Sequence, residues 1–87
     1  MTTTSGDAFR SALQEMLQAA DNLGLVAVEV NSGKLHRKVG GYPGSSHRMP
    51  VCCDVMRQEM SGADSVVSEP ESGQGASLVI RYVIPRA

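Results

Sequence analysis

The sequence predicts an α+β domain of three helices and a small antiparallel sheet, in the order helix, strand, helix, helix, strand, strand. Three observations carry that prediction. An apolar stripe at helical 3,4 spacing runs from Phe9 to Leu23, and a second such stripe follows Pro50. Near the end of the chain, Leu78, Ile80, Tyr82 and Ile84 alternate with Val79, Arg81 and Val83, which is the period of a strand with one face in a core.

The first helix is expected to be capped by Ser5 or Asp7, whose side-chain oxygens accept from the first free amides. Phe9, Ala12, Leu13, Met16, Leu17, Ala20 and Leu23 form its inward face, and Arg10, Ser11, Gln14, Glu15, Gln18 and Asp21 its outer one. Gly24 stands where a left-handed residue ends a helix. Leu25 to Val30 has the β-branched content of a strand, with Val26, Val28 and Val30 on one side. Ser32 is expected to cap a short second helix that points Leu35 and Val39 inward and Lys34, Arg37 and Lys38 to solvent. Gly40 and Gly41 end it, and Tyr42 to Ser46 form a turn.

Pro50 suits the first turn of a third helix, because its φ is already helical and its missing N–H would be unpaired there anyway. Val51, Cys52, Val55, Met56, Glu59 and Met60 follow at 3,4 spacing, with Met49 and Cys53 beside the stripe and Gly62 as the expected stop. Ser65 to Glu69 and Ala76 to Ile84 read as two strands joined by the glycine-bearing loop Pro70 to Gly75, an antiparallel hairpin that Pro85 ends.

Eighty-seven residues make one domain, expected over residues 7–86 behind a disordered stretch at 1–6. With one Phe, two Tyr and no Trp, the core is aliphatic and methionine-rich. A domain of this size leaves apolar area that self-association would cover, so a homodimer is one expectation. No apolar run reaches the length that spans a bilayer, the polar start MTTTSGD does not read as a secretory signal, and adjacent Cys52 and Cys53 suit reduced thiols. A cytoplasmic protein without a membrane partner is the expectation.

The net charge of -1 argues against indiscriminate coating of nucleic acid or anionic lipid. Its distribution is uneven. Asn31 to Cys53 holds Lys34, Arg37, Lys38 and Arg48 with no acid, a charge of +4, whereas the rest sets four cations against nine acids, a charge of -5. A local contact with phosphates or with an acidic protein surface suits that pattern.

The order of elements resembles a winged helix, in which a first helix supports a helix-turn-helix pair and the short first strand joins a C-terminal hairpin whose loop is the wing. Another α+β arrangement, with helices on one face of a three-stranded sheet, is the alternative. The run HRKVGGYPGSSHRMPVCCDVMR, with the terminal SGQGASLVIRYVIPR, resembles short bacterial proteins of uncharacterised role that carry an HRxVGGYPGxxHRMPxCC-like segment. That resemblance covers Asp7 to Arg86 and implies no activity.

If the domain binds double-stranded DNA, the winged-helix arrangement puts His47, Arg48, Asp54 and Arg57 near base edges and Lys34, Arg37 and Lys38 on phosphates. Glu69 and Glu71 in the wing oppose such a contact. A metal site is disfavoured because His36, His47, Cys52 and Cys53 lack any paired-ligand spacing. Catalysis is disfavoured because no acid lies near to orient either histidine and VGGYPG matches no phosphate loop. The expectation is therefore a module without enzymatic activity or cofactor, binding nucleic acid through Lys34, Arg37, Lys38, His47, Arg48 and Arg57. The alternative is a protein-interaction or homodimerisation module, with the methionines and the outer strand face of Val79 and Val83 as its surface.

Overall fold

The computed structural model describes residues 5–40 and 48–84. It has three helices, α1 (Ser5–Asn22), α2 (Ser32–Val39) and α3 (Met49–Gln58), and three strands, β1 (Ala27–Asn31), β2 (Ser65–Ser68) and β3 (Val79–Val83). The strands form one antiparallel sheet in the order β1-β3-β2, so β1 joins the C-terminal hairpin across β3. This is the winged-helix-like α+β arrangement that the element order predicts. The expected turn from Tyr42 to Ser46, with Gly41, His47 and Pro85, lies outside the described residues, as do residues 1–4.

The inward stripe of α1 is buried at Phe9, Leu13, Leu17 and Ala20 and meets Leu35 of α2, Met49, Cys52, Val55 and Met56 of α3, and Val30, Leu78, Ile80, Tyr82 and Ile84 of the sheet. Helix α1 already includes Ser5 and Gly6, which fall in the stretch expected to be disordered. Its other end follows the expected mechanism. Gly24 has φ +75°, its amide reaches the Asp21 carbonyl at 2.9 Å, and the Leu25 amide reaches the Ala20 carbonyl at 3.1 Å, which is the double bond of a Schellman cap. Leu23 falls in that cap and is 76% exposed, so the last residue assigned to the inward stripe is not in the core.

Strand β1 begins two residues later than expected and includes Asn31, which pairs with Val79 and caps α2 at the same time. The Asn31 side chain accepts from the Lys34 amide at 3.0 Å. Ser32, the expected cap, is instead the first helical residue. It is fully buried, its amide bonds to the Leu78 carbonyl, and its hydroxyl donates to the Gly75 carbonyl. The same stitching shortens β3. Asn31 Nδ2 draws off the Ala76 carbonyl at 2.8 Å, so the chain turns at Ala76 and the ladder starts at Val79 rather than at Ala76.

Helix α3 keeps Pro50 in its first turn and ends at Gln58, before the expected stop at Gly62. The cause is Asp64, whose carboxylate takes the Ser61 amide at 2.8 Å and the Val83 amide at 2.7 Å, pulling the chain out of helical geometry toward β2. Tyr82, buried in the sheet, donates its hydroxyl to the Met56 carbonyl at 2.8 Å. That bond fixes the C-terminal end of α3 to the sheet by satisfying a carbonyl of its last turn. Among the described residues no helix is long and apolar enough to cross a membrane.

Candidate nucleic-acid interface

Helix α2 has two sides of opposite character. Leu35 and His36 are buried against the core, and Lys34, Arg37 and Lys38 are exposed, as their spacing predicts. Lys38 and Arg37 also occupy the last turn, where cations face the negative end of the helix dipole favourably. The acid-free stretch of the sequence thus becomes a basic helix face.

His36 was missed as a structural residue, and it turns out to position the site. Its Nε2 accepts the backbone N–H of Arg48 at 2.8 Å, and its ring meets Phe9 edge-on at 4.8 Å between centroids. An acceptor at Nε2 is a nitrogen without a proton, so this imidazole binds through its lone pair. The bond ties the backbone at the start of α3 to the buried side of α2, and Arg48, the N-cap of α3, is exposed. The one available signal was a histidine next to the inward Leu35. Periodicity does not report hydrogen bonds, so the role was not legible.

The polar residues of α3 are placed differently. Arg57 Nη2 lies 3.3 Å from Glu69 Oε2 and also donates to the Gly73 carbonyl. Asp54 Oδ1 accepts from Gln74 Nε2 at 2.6 Å, and the Cys53 thiol contacts the Gly75 carbonyl at 3.5 Å. The hairpin loop therefore lies along α3 and engages both side chains, Asp54 and Arg57, that were expected near base edges. Glu69, expected to repel phosphate from the wing, has its charge opposed by Arg57, whereas Glu71 is exposed. His47 lies outside the described residues.

Both cysteines are fully buried. The Cys52 thiol contacts the Ser32 carbonyl at 3.6 Å, and burial, with Cys53 beside it, pushes its pKa up to about 12. A thiol held protonated this firmly is a packing group, not a thiolate nucleophile, at neutral pH. Among the described residues, no three His, Cys, Asp or Glu side chains are grouped to share a metal ion.

The sheet's outer face carries Val79 and Val83, both half-buried, on either side of exposed Arg81. The large exposed apolar residues lie elsewhere, at Leu23, Leu25 and Val26 in the α1–β1 corner and at Val66 and Val67 in β2. Comparison with protein-family models, with curated proteins and with solved structures finds no match to this chain.

Proposed function

We propose that this chain is a small winged-helix module that binds double-stranded DNA through phosphate contacts made by Lys34, Arg37, Lys38 and Arg48. The observation that carries the reading is the basic face of α2, where Lys34, Arg37 and Lys38 are exposed, followed by exposed Arg48 at the start of α3, whose backbone N–H is tied to His36 of α2. In this reading α2 and Arg48 contact the backbone, and α3, its Asp54 and Arg57 tied to the loop, contributes little base readout. Arg57 supports the wing and makes no direct contact. The module carries out no catalysis and takes no cofactor.

Four phosphate contacts per copy imply weak binding with a salt slope no steeper than about -4 in log–log form. The test is a fluorescence-anisotropy titration with a random-sequence duplex at low and at physiological salt. The chain is expected to saturate at low salt and lose affinity steeply as salt rises, and the triple variant Lys34→Ala, Arg37→Ala, Lys38→Ala to lose most of that binding while staying folded. Equal binding by the triple variant would overturn the assignment.

A second reading, contact with a protein partner and no nucleic acid, is favoured by the α1–β1 corner, where Leu23 and Val26 are each 76% exposed. It predicts no anisotropy change with DNA at any salt concentration.

A further inference from the structure

Strand β2 lies at the open edge of the sheet and all four of its residues are exposed. Edge strands in native proteins are commonly guarded by charges or proline, because their free N–H and C=O groups pair readily with another strand. Ser65, Val66, Val67 and Ser68 include neither, and the guards this edge does have are its short length and the bulge after Val66. The acids at both ends are engaged inside the molecule. Asp64 accepts from Ser61 and Val83, and Glu69 faces Arg57.

The backbone shows which groups are open. The Val83 amide donates to Asp64 and so points toward β2, whereas the Ile84 amide donates to the Val26 carbonyl at 2.9 Å and points toward β1. Backbone groups alternate along a strand, so Arg81 and Val79 also address β2. Arg81 stands opposite Ser65, and Val79 opposite Ser68 beyond a bulge. The N–H and C=O of Val66, between those two pairings, therefore point out of the sheet.

We infer that a second copy of this chain pairs with β2 in antiparallel fashion about a two-fold axis at Val66, joining two three-stranded sheets into one of six. The two Val66 residues exchange both backbone hydrogen bonds across the axis. Self-complementarity selects a second copy over a different protein. In this register Ser65 of each copy faces Val67 of the other, Asp64 faces Ser68, and Glu69 faces Ala63, so no acid meets an acid. Val66 and Val67, 37% and 51% exposed, supply apolar area beside the axis. The Asp64 N–H is bonded to the Ser61 carbonyl and Ser68 pairs inward with Val79, so the ladder is limited to the Val66 pair, which makes a reversible dimer. This pairing is independent of nucleic-acid binding.

The test is sedimentation velocity of the full chain over a rising concentration series. The wild type is expected to pass from monomer to dimer, and Val66→Pro, which removes an outward N–H and no bond of the β2–β3 ladder, to weaken the dimer roughly tenfold or more. Val67→Lys, at an exposed bulge position, is expected to weaken it as well. Amide exchange read on the wild type needs no variant to fold, and the Val66 amide is expected to gain protection as concentration rises. A wild type that stays monomeric throughout would overturn the proposal. So would a dimer unchanged by both β2 variants, or one that Val26→Lys in the α1–β1 corner dissociates.

Discussion

Helices α2 and α3 present their polar residues in opposite ways. On α2, Lys34, Arg37 and Lys38 extend into solvent from a helix whose buried side is Leu35 and His36. On α3, Asp54 and Arg57 are engaged by Gln74, Glu69 and the Gly73 carbonyl of the hairpin loop. The two helices were expected to divide a DNA contact between phosphates and bases. Their surroundings instead leave Lys34, Arg37 and Lys38 exposed on α2 and use the polar side chains of α3 to hold the hairpin loop. The difference teaches that a charged side chain on a recognition helix is evidence for readout only when nothing within the domain competes for it.

That contrast is open to attack from its buried side first, where the expected effects are largest. Because the Cys52 thiol ionises near 12 in the folded chain against 9.0 for an ordinary cysteine, the unfolded chain releases its proton first as pH rises. Stability from this group is complete well below pH 9 and is lost progressively as pH rises from there toward about 12. Urea denaturation at pH 7, 9 and 10.5 measures it, and Cys52→Ala should flatten the alkaline part of the curve. An alkaline slope unaltered in that variant would show that burial does not hold the Cys52 thiol protonated in the folded chain.

His36→Ala comes next. It leaves the Arg48 amide without its acceptor and opens space beside Phe9, for an expected loss of about 1–3 kcal/mol in chemical denaturation. It should also weaken DNA binding beyond what stability explains, since the Arg48 backbone is no longer tied to α2. Tyr82→Phe removes one buried hydroxyl and leaves the Met56 carbonyl of α3 unsatisfied, at about 1–2 kcal/mol, without altering the basic face. If Tyr82→Phe reduced DNA binding as strongly as His36→Ala in folded samples, the separate roles assigned to the two residues would fail.

The smallest effect on stability is expected at the wing. The Arg57–Glu69 pair is solvent-accessible, so Glu69→Gln should change the unfolding free energy by less than about 1 kcal/mol. Its value is in sharpening the contrast between the helices. Loss of this acid removes a repulsive charge and loosens Arg57, so affinity for a DNA duplex should rise modestly. A fall in affinity would mean that the closed wing itself forms part of the contact.

Much of this chain was legible before its structure. The Phe9 to Ala20 stripe, the left-handed Gly24, Pro50 in the first turn of α3, and the alternation of Leu78, Ile80, Tyr82 and Ile84 all reappear as read, because each depends on periodicity or on one residue's backbone preference. The basic face of α2 was legible for the same reason. Element ends were read less well wherever a side chain from far along the sequence captured a backbone group. Asp64 cut α3 short of Gly62, and Asn31 displaced both the cap at Ser32 and the start of β3 at Ala76.

The sequence by itself determined the order of elements, the inward face of the three helices and of the last strand, and the concentration of positive charge between Asn31 and Cys53. These are local properties, set by spacing, propensity and composition. Tertiary structure alone decided which charges remain available and which edge remains open. Arg57 is drawn to Glu69 and Gly73, the Arg48 backbone is tied to His36, and Val66 is left with its backbone groups outward at the sheet edge. Each of those outcomes depends on partners brought together from distant positions, and a hydrogen bond is defined by the distance and direction of both its ends.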